Sequence, residues 1–192
     1  MDTAVKNKVT YGLSNVHVWP ITATSDAGVP TYGAMFTIPG AVELKLDSQG
    51  SSDSFYADDS IYYQGVTNTG YKGDLTIADL CEDFAVNILG ELKDKNGALF
   101  EEADIEPKQF AIAFEFKGDA KKRRHLLYRC TAERPSLESK SKENKVDPNK
   151  PKLSFTAIPR LDNQWVKAKA DEGDTAYGTW FDTAPYEFVS VT

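Results

Sequence analysis

Hydrophobic and polar residues alternate along much of this chain. Residues 41–47 alternate cleanly, and their apolar side chains should share one face of a strand: Val42, Leu44 and Leu46. The same period of two recurs in residues 14–21 and in residues 71–78, where Leu75 and Ile77 should point inward. A period of two is typical of a half-buried β-strand. The pattern therefore predicts a chain built mostly from short strands.

Turn residues separate further strand-like segments. The pair Asp58-Asp59 lies between two aromatic segments and predicts a tight acidic turn, and Lys95-Asn96-Gly97 predicts a hairpin-type turn. Additional strands are expected at four places: residues 109–116, 126–133, 153–158 and 165–170. The first two of these should pair across the basic turn at 118–124.

One helix is expected between residues 80 and 89. Its apolar residues recur at helical spacing, namely Leu80, Phe84, Ile88 and Leu89. Acidic residues near its start suit the positive end of a helix dipole. Gly90 is placed to end the helix, and Leu92 could extend the apolar stripe by a few residues.

About ten short strands with helical material in one place predict a mainly β fold. The expected architecture is a two-sheet β-sandwich or a rolled barrel with one flanking α-helix. The chain has 192 residues without an internal repeat or a linker, so a single domain over 1–192 is expected. Residues 134–152 are too polar for a core and predict a long arm or loop.

Composition and charge narrow the classes of function. Hydrophobic residues make up 41% and charged residues 27%, as in soluble globular proteins. No apolar run is long enough for a membrane span, and the first residues do not form a signal peptide, so synthesis in a cytoplasm is expected. The net charge of −7 argues against a protein that grips nucleic acid. An acidic wall would instead repel phosphate and let DNA slide past.

No residue pattern indicates an enzyme, a cofactor or a metal site. His17 and His125 are far apart, and neither Cys81 nor Cys130 has a ligand at zinc-site spacing. The chain lacks a nucleophile elbow, a phosphate-binding loop and a dinucleotide-type glycine pattern. The paired carboxylates at the acidic turn lack the spacing of a calcium loop. We therefore expect no catalytic residue, cofactor or metal.

Two features suggest contacts between copies of the chain. Aromatic residues lie beside polar loops, where rings either anchor an interface or belong to the core: Phe55, Tyr56, Tyr62 and Tyr63. Charged residues of the basic turn and of the polar arm are candidates for salt bridges to a neighbouring copy: Arg123, Arg124, Arg134, Glu138 and Lys140. Solvated turns and loops would account for the same charges.

A set of short segments, in order along the chain, points to a family. The segments are YGLSNVH at 11–17, IPGAV at 38–42, FYADD at 55–59 with YY at 62–63, NTGYKG at 68–73, ILGE at 88–91, FEFKGD at 114–119, RRHLLYRCT at 123–131, RPSLESK at 134–140, TAIPR at 156–160 and TWFD at 179–182. In this order they resemble the major tail protein family of long-tailed siphophages of Gram-positive bacteria. No single segment is specific, and the ordered set carries the resemblance.

The resemblance implies a β-sandwich or barrel flanked by a helix, similar to type VI secretion tube proteins. It implies a virion protein that forms hexameric rings stacked into a hollow tail tube. The implied partners are further copies of the chain, a tape-measure protein, and tail initiator and terminator proteins, with DNA passing through without specific binding. The family brings no catalytic residues. The chain ends soon after Trp180, without the immunoglobulin-like domain of some relatives, so a role in decorating the host surface is not expected.

In such a tube, one face of each strand packs on the core while the other is free to line the channel. Glu43 and Asp47 are the candidates for that lining. Two alternatives remain open. One is a tube protein of a contractile tail or injection machine, which a neighbouring sheath gene would favour. The other is a carbohydrate-binding virion β-sandwich, which would need an exposed aromatic platform such as Tyr62-Tyr63.

Overall fold

The computed structural model describes residues 11–136, 150–182 and 184–190. The protein is a mainly β sandwich with one short helix, as predicted. The strands are β1 Leu13–Thr24, β2 Pro30–Tyr32, β3 Phe36–Thr37, β4 Ala41–Gln49, β5 Ser52–Ala57, β6 Ser60–Val66, β7 Gly70–Ile77, β8 Leu92–Lys93, β9 Leu99–Phe100, β10 Phe110–Phe116, β11 Arg124–Ala132, β12 Lys152–Ala157 and β13 Lys167–Ala170.

Most of these strands belong to one nine-stranded antiparallel sheet. Its order is β2-β1-β10-β11-β12-β7-β4, with β3 beside β1 and β13 beside β11. Strands β12 and β13 pair with different parts of β11. Strand β12 pairs with the C-terminal end of β11, and β13 pairs with its N-terminal half. The sheet rolls far enough to bring β4 near β1. The rolled sheet encloses the main apolar core.

The alternation read from the sequence fills this core. Leu75 and Ile77 of β7 are completely buried, as predicted. Phe110 is central, because its ring lies 5.5 Å from Phe84 of the helix and 6.2 Å from Phe155 of β12. Edge-to-face aromatic contacts of this kind add to the free energy of burial. The main core therefore joins the helix to both halves of the sheet.

The helix is short and ends where the sequence predicted. Helix α1, Glu82–Phe84, continues directly as a π-helical turn, Ala85–Leu89. Gly90 follows with a φ of 82°, a left-handed conformation that favours glycine and stops the helix. The extension of the apolar stripe to Leu92 is wrong, because Leu92 belongs to β8 and is half exposed. The turn around Gly97 joins β8 to β9, as predicted.

One further expectation needs correction. Val42 does not share the core face of Leu44 and Leu46, since it is 48% exposed while those two pack against the core. The cause is local: the pairing of β4 with β7 shifts register between Ala41 and Glu43. A bulge of this kind redirects side chains.

A second apolar cluster lies on the outer face of the sheet. Its centre is Trp19 of β1, and the C-terminal segment with its 3-10 helix, Thr175–Thr179, packs over it. The Trp19 indole N–H donates to the carbonyl of Asp182 at 3.2 Å, and the Tyr128 hydroxyl donates to the carbonyl of Tyr186 at 2.7 Å. The outer face is thus covered on the side of β1, β10, β11 and β13.

Strands β4 to β7 form one long hairpin. The proximal hairpin, β4 with β7, is part of the large sheet, and the distal hairpin, β5 with β6, is a separate two-stranded ladder. Backbone hydrogen bonds join the two parts, because the N–H of Thr67 donates to Ser51 and the N–H of Thr69 donates to Gln49. The distal hairpin therefore extends beyond the end of the sheet.

Candidate assembly surfaces

The distal hairpin exposes most of its large apolar side chains. Six of them are between 56% and 78% exposed: Phe55, Tyr56, Ile61, Tyr62, Tyr63 and Val66. No residue from 52 to 66 is buried. The aromatic candidates could have anchored an interface or belonged to the core. In the single chain they are exposed and do not belong to the core. At about 100 Å² each, the six side chains expose on the order of 600 Å² of apolar surface, divided between the two faces of the distal hairpin.

Local geometry explains why the distal hairpin forms. Phe55 lies opposite Tyr63, and Tyr56 lies opposite Ile61, so aromatic and β-branched side chains meet across the two strands. The tip residues Asp58 and Asp59 have φ values of 52° and 56°, as a type I′ hairpin turn requires. The acidic turn predicted from the sequence is confirmed.

All charged residues of the distal hairpin are acidic. Residues 52–66 include Asp53, Asp58 and Asp59 and contain no lysine or arginine. An exposed aromatic surface edged by one sign of charge is a common form of protein contact site. It would suit a partner surface that supplies apolar area and positive charge.

The proximal hairpin presents a different surface. On the outer side of β4, β7 and β12 the aligned residues are all polar, in three cross-strand rows. The rows are Asp47, Lys72 and Thr156; Lys45, Asp74 and Ser154; and Glu43, Thr76 and Lys152. We call this surface the polar face. Both lumen-lining candidates, Glu43 and Asp47, lie on it and are exposed.

Ion pairs connect opposite charges on the polar face. The Lys45 ammonium lies 2.6 Å from the carboxylate of Asp47, and that of Lys152 lies 2.9 Å from Asp74. The hydroxyl of Ser154 donates to Asp74 at 2.7 Å. The hydrogen bonds from Lys152 and Ser154 keep the pKa of Asp74 below its usual value. The face carries three lysines and three carboxylates, so the acidic excess of the chain is not located there.

The basic turn is pinned to its own chain. Arg123 donates through Nε to the buried Asp119 at 2.5 Å, and Arg124 donates to Glu115 at 3.3 Å. The ammonium of Lys121 pairs with Asp171 at 2.8 Å, and Lys122 pairs with the next residue, Glu172. Both interface candidates of this turn, Arg123 and Arg124, thus have partners within the monomer.

Arg124 also stacks on aromatic rings of the C-terminal segment. Its guanidinium lies 3.8 Å from the centroid of Tyr177 and 4.5 Å from that of Phe181. One of its terminal nitrogens donates to the carbonyl of Tyr177. Cation–π contacts of this kind favour a fixed arginine side chain. Arg124 therefore helps to hold the C-terminal segment on the sheet.

The polar arm is described only at its ends. Arg134 donates to the carboxylate of Glu101 and, at 3.1 Å in each case, to the carbonyls of Glu102 and Ile105. It therefore anchors the segment before β10 in the described structure. The other two arm candidates, Glu138 and Lys140, lie outside the described residues.

Both histidines take part in aromatic packing. The ring of His17 stacks on Phe181 at 4.2 Å, and that of His125 stacks on Phe114 at 5.3 Å. Burial, together with the nearby positive charge of Lys167 and Arg123, lowers the pKa of His125 to about 4. Neither histidine belongs to a group of three or more potential metal ligands among the described residues. In the same residues, every helix is too short or too polar to span a bilayer.

One long sheet edge is open. Strand β4 pairs with β7 on one side, and on its other side no described strand pairs with it. Nine residues of backbone, Ala41–Gln49, border this edge. A free edge can accept a strand from another molecule. The open edge adjoins the polar face.

Sequence reasoning missed part of both surfaces. It did not single out Ile61 and Val66 of the distal hairpin, or Lys72, Asp74 and Lys152 of the polar face. The signal was present for the polar face, because β7 and β12 alternate polar and apolar residues in the same phase as β4. The pairing of these strands, which brings the charges together, is a property of the fold.

Comparison with known proteins provides no assignment: neither a protein-family model nor a curated protein sequence matches this chain.

Proposed function

We propose that this chain is a structural virion protein, the major subunit of a phage tail tube. Copies would associate into rings, as hexamers, and the rings would stack into a hollow tube through which DNA leaves the virion. The observation that carries the proposal is the distal hairpin, which exposes six large apolar side chains without a core behind them. The ordered resemblance to siphophage major tail proteins supports the same function.

Contacts between subunits would explain why this hairpin exposes so many apolar side chains in the single chain. An isolated two-stranded hairpin is marginally stable in water, and a large exposed apolar patch promotes association. In an assembly the distal hairpin of one copy would lie on the next copy and bury its aromatic side chains. A contact that uses different surfaces on the two partners propagates, and it forms a ring or a filament according to its rotation.

The open edge of β4 supplies a second contact. Strand addition between neighbouring copies would pair the unpaired backbone groups of Ala41–Gln49 and continue the sheet around a ring. The polar face would then form a continuous wall, and Glu43 and Asp47 would line the bore. In this arrangement the apolar core faces away from the bore.

Assembly of the purified chain tests the proposal. Negative-stain electron microscopy of concentrated wild-type protein should show hollow rods of uniform width. The double variant Phe55→Ser/Tyr63→Ser removes one cross-strand aromatic pair and should remain monomeric by sedimentation, with an unchanged circular dichroism spectrum.

The matched control removes two exposed apolar side chains elsewhere. Val29 and Leu161 are 46% and 57% exposed and lie outside the distal hairpin. Val29→Ser/Leu161→Ser should still form rods. Wild-type protein that stays monomeric at every concentration would contradict the proposal, as would rods from the hairpin variant as abundant as those from wild type.

A carbohydrate-binding role is the second candidate, because Tyr62 and Tyr63 are exposed beside the polar residue Gln64. Aromatic rings next to hydrogen-bonding side chains can stack on sugar rings. Binding of the monomer to a glycan array, lost in Tyr62→Ser, would favour that role. We expect no glycan binding.

A further inference from the structure

Each lysine of the polar face has a carboxylate as a close neighbour. Lys45 and Lys152 form direct ion pairs with Asp47 and Asp74. Lys72 is the cross-strand partner of Asp47, and its positive charge also lowers the pKa of Asp74. Asp47 and Asp74 therefore pair with two of the three lysines of this surface and lie next to the third.

The spacing of these lysines would otherwise suit a polyanion. The three lysines lie on three neighbouring strands, and neighbouring strands are about 5 Å apart. Along the strand direction, Lys45, Lys72 and Lys152 are within a few residues of one another. Three free ammonium groups on one flat surface can replace the counterions of several phosphates, and this exchange drives non-specific DNA binding. A lysine paired with a carboxylate loses much of that effect, because the adjacent negative charge offsets the charge of the ammonium group and repels an approaching phosphate.

We propose that Asp47 and Asp74 prevent the polar face from binding DNA, so that a polyanion can pass over it without being retained. Its biological role rests on the proposed function, in which this face lines the bore. The mechanism differs from repulsion by an acidic wall. The surface holds equal numbers of both charges, and low affinity arises from pairing.

Removal of the two carboxylates tests the mechanism on the soluble chain. Asp47→Asn/Asp74→Asn keeps the shape of both side chains, and the amide oxygen introduced at position 74 can still accept the hydrogen bond from the Ser154 hydroxyl. Fluorescence anisotropy with a labelled DNA duplex at about 20 mM salt should show binding at least tenfold tighter than that of wild type. The variant frees Lys45 and Lys152 from their ion pairs, so that together with Lys72 three lysines can contact phosphates, and the slope of log affinity against log salt should be about −3.

Two further variants separate pairing from net charge. Asp104→Asn/Glu106→Gln removes two exposed acids before β10 and changes the net charge equally, so it should bind DNA as weakly as wild type. Glu43→Gln/Asp47→Asn tests the same face without changing Asp74, and should give a smaller gain than Asp47→Asn/Asp74→Asn. Thermal melts establish that each variant is folded.

The outcomes distinguish the inference from the proposed function. Equal DNA binding by the Asp47/Asp74 variant and the Asp104/Glu106 variant would overturn the inference, as would tight binding by wild type. Tube formation is measured separately by electron microscopy. If wild-type protein forms tubes but the Asp47/Asp74 variant gains no DNA binding, the proposed function stands and the role of the carboxylates is refuted. If the variant gains DNA binding but wild-type protein forms no tubes, the role of the carboxylates stands and the proposed function is refuted.

Discussion

The proximal and distal parts of the long hairpin between residues 41 and 77 follow one another along the chain but have opposite environments. In the proximal part, Leu75 and Ile77 are completely buried and the other face is polar. In the distal part no residue is buried, although it is the more aromatic of the two. Aromatic content therefore does not indicate which part of this hairpin lies in the core.

The difference separates two uses of apolar residues in one element. Apolar residues of the proximal hairpin stabilise the single chain, because their burial removes apolar surface from water on folding. Those of the distal hairpin remain in water in the single chain and contribute little to its folding. Under the proposed function they contribute on assembly instead. Stability and assembly should thus respond to mutations in different halves.

The largest expected contrast comes from one substitution in each half. Leu75→Ala removes a fully buried side chain and should lower the free energy of unfolding by about 3 kcal/mol. Tyr63→Ala, at a side chain that is 65% exposed, should change it by less than about 0.5 kcal/mol. Urea denaturation followed by circular dichroism measures both values. Similar losses from the two variants would show that the halves are not distinct.

Acid should lower the free energy of unfolding by a smaller amount, through His125 in the part of the sheet that packs on the core. The pKa of His125 is about 4 in the folded protein and 6.5 for the unperturbed group, mainly because of burial. Between these values the unfolded chain binds a proton that the folded protein does not, so stability falls as pH drops from 6.5 to 4. Because His125 is partly exposed, we expect a loss of about 1 kcal/mol.

Thermal melts between pH 7 and pH 4 measure this loss. His125→Phe keeps a ring against Phe114 and cannot titrate, so its melting temperature should vary less over the same range. The Asp119 carboxylate gives a second, lower step. Hydrogen bonds from Arg123 hold its pKa at about 2, so its contribution is present above pH 3.8 and is lost below it. An identical pH profile for His125→Phe and wild type would exclude His125 as the source.

The smallest expected effect is at the tip of the distal hairpin. Asp59 has a φ of 56°, so Asp59→Gly relieves backbone strain and should stabilise the distal hairpin by about 0.5 kcal/mol. Amide exchange in β5 and β6 should slow about twofold. Asp53→Gly, within the strand, should accelerate exchange in the same amides. Slower exchange in the core strands of Asp59→Gly would mean that the two halves fold as one unit.

Local features of the fold could be read from the sequence because they depend on neighbouring residues. The burial of Leu75 and Ile77 follows from their alternation. The turn at Asp58-Asp59 follows from its residue types and its aromatic flanks. Gly90 ends the helix through its own left-handed conformation. The exception, Val42, lies at a bulge, and the register shift that causes it depends on the partner strand.

The candidate surfaces could be predicted only in part, since long-range pairing decides them. Phe55 and Phe110 are both aromatic residues of strands, yet one is 62% exposed and the other is buried. The difference arises from what each strand packs on. The ion-pair partners of the basic turn could not be predicted either, because Lys121 pairs with Asp171, which lies 50 residues later in the sequence. Sequence therefore suggested contacts to another copy for charges that have partners in the monomer.

The closure of the outer apolar cluster by the C-terminal segment affects how the chain folds during synthesis. Trp19 hydrogen-bonds to Asp182, which the ribosome adds 163 residues later. At typical translation rates this interval is on the order of ten seconds. Throughout it, the side of the sheet around Trp19 lacks its cover and is available to chaperones. A nascent chain therefore cannot complete this cluster until the segment around Asp182 has been synthesised.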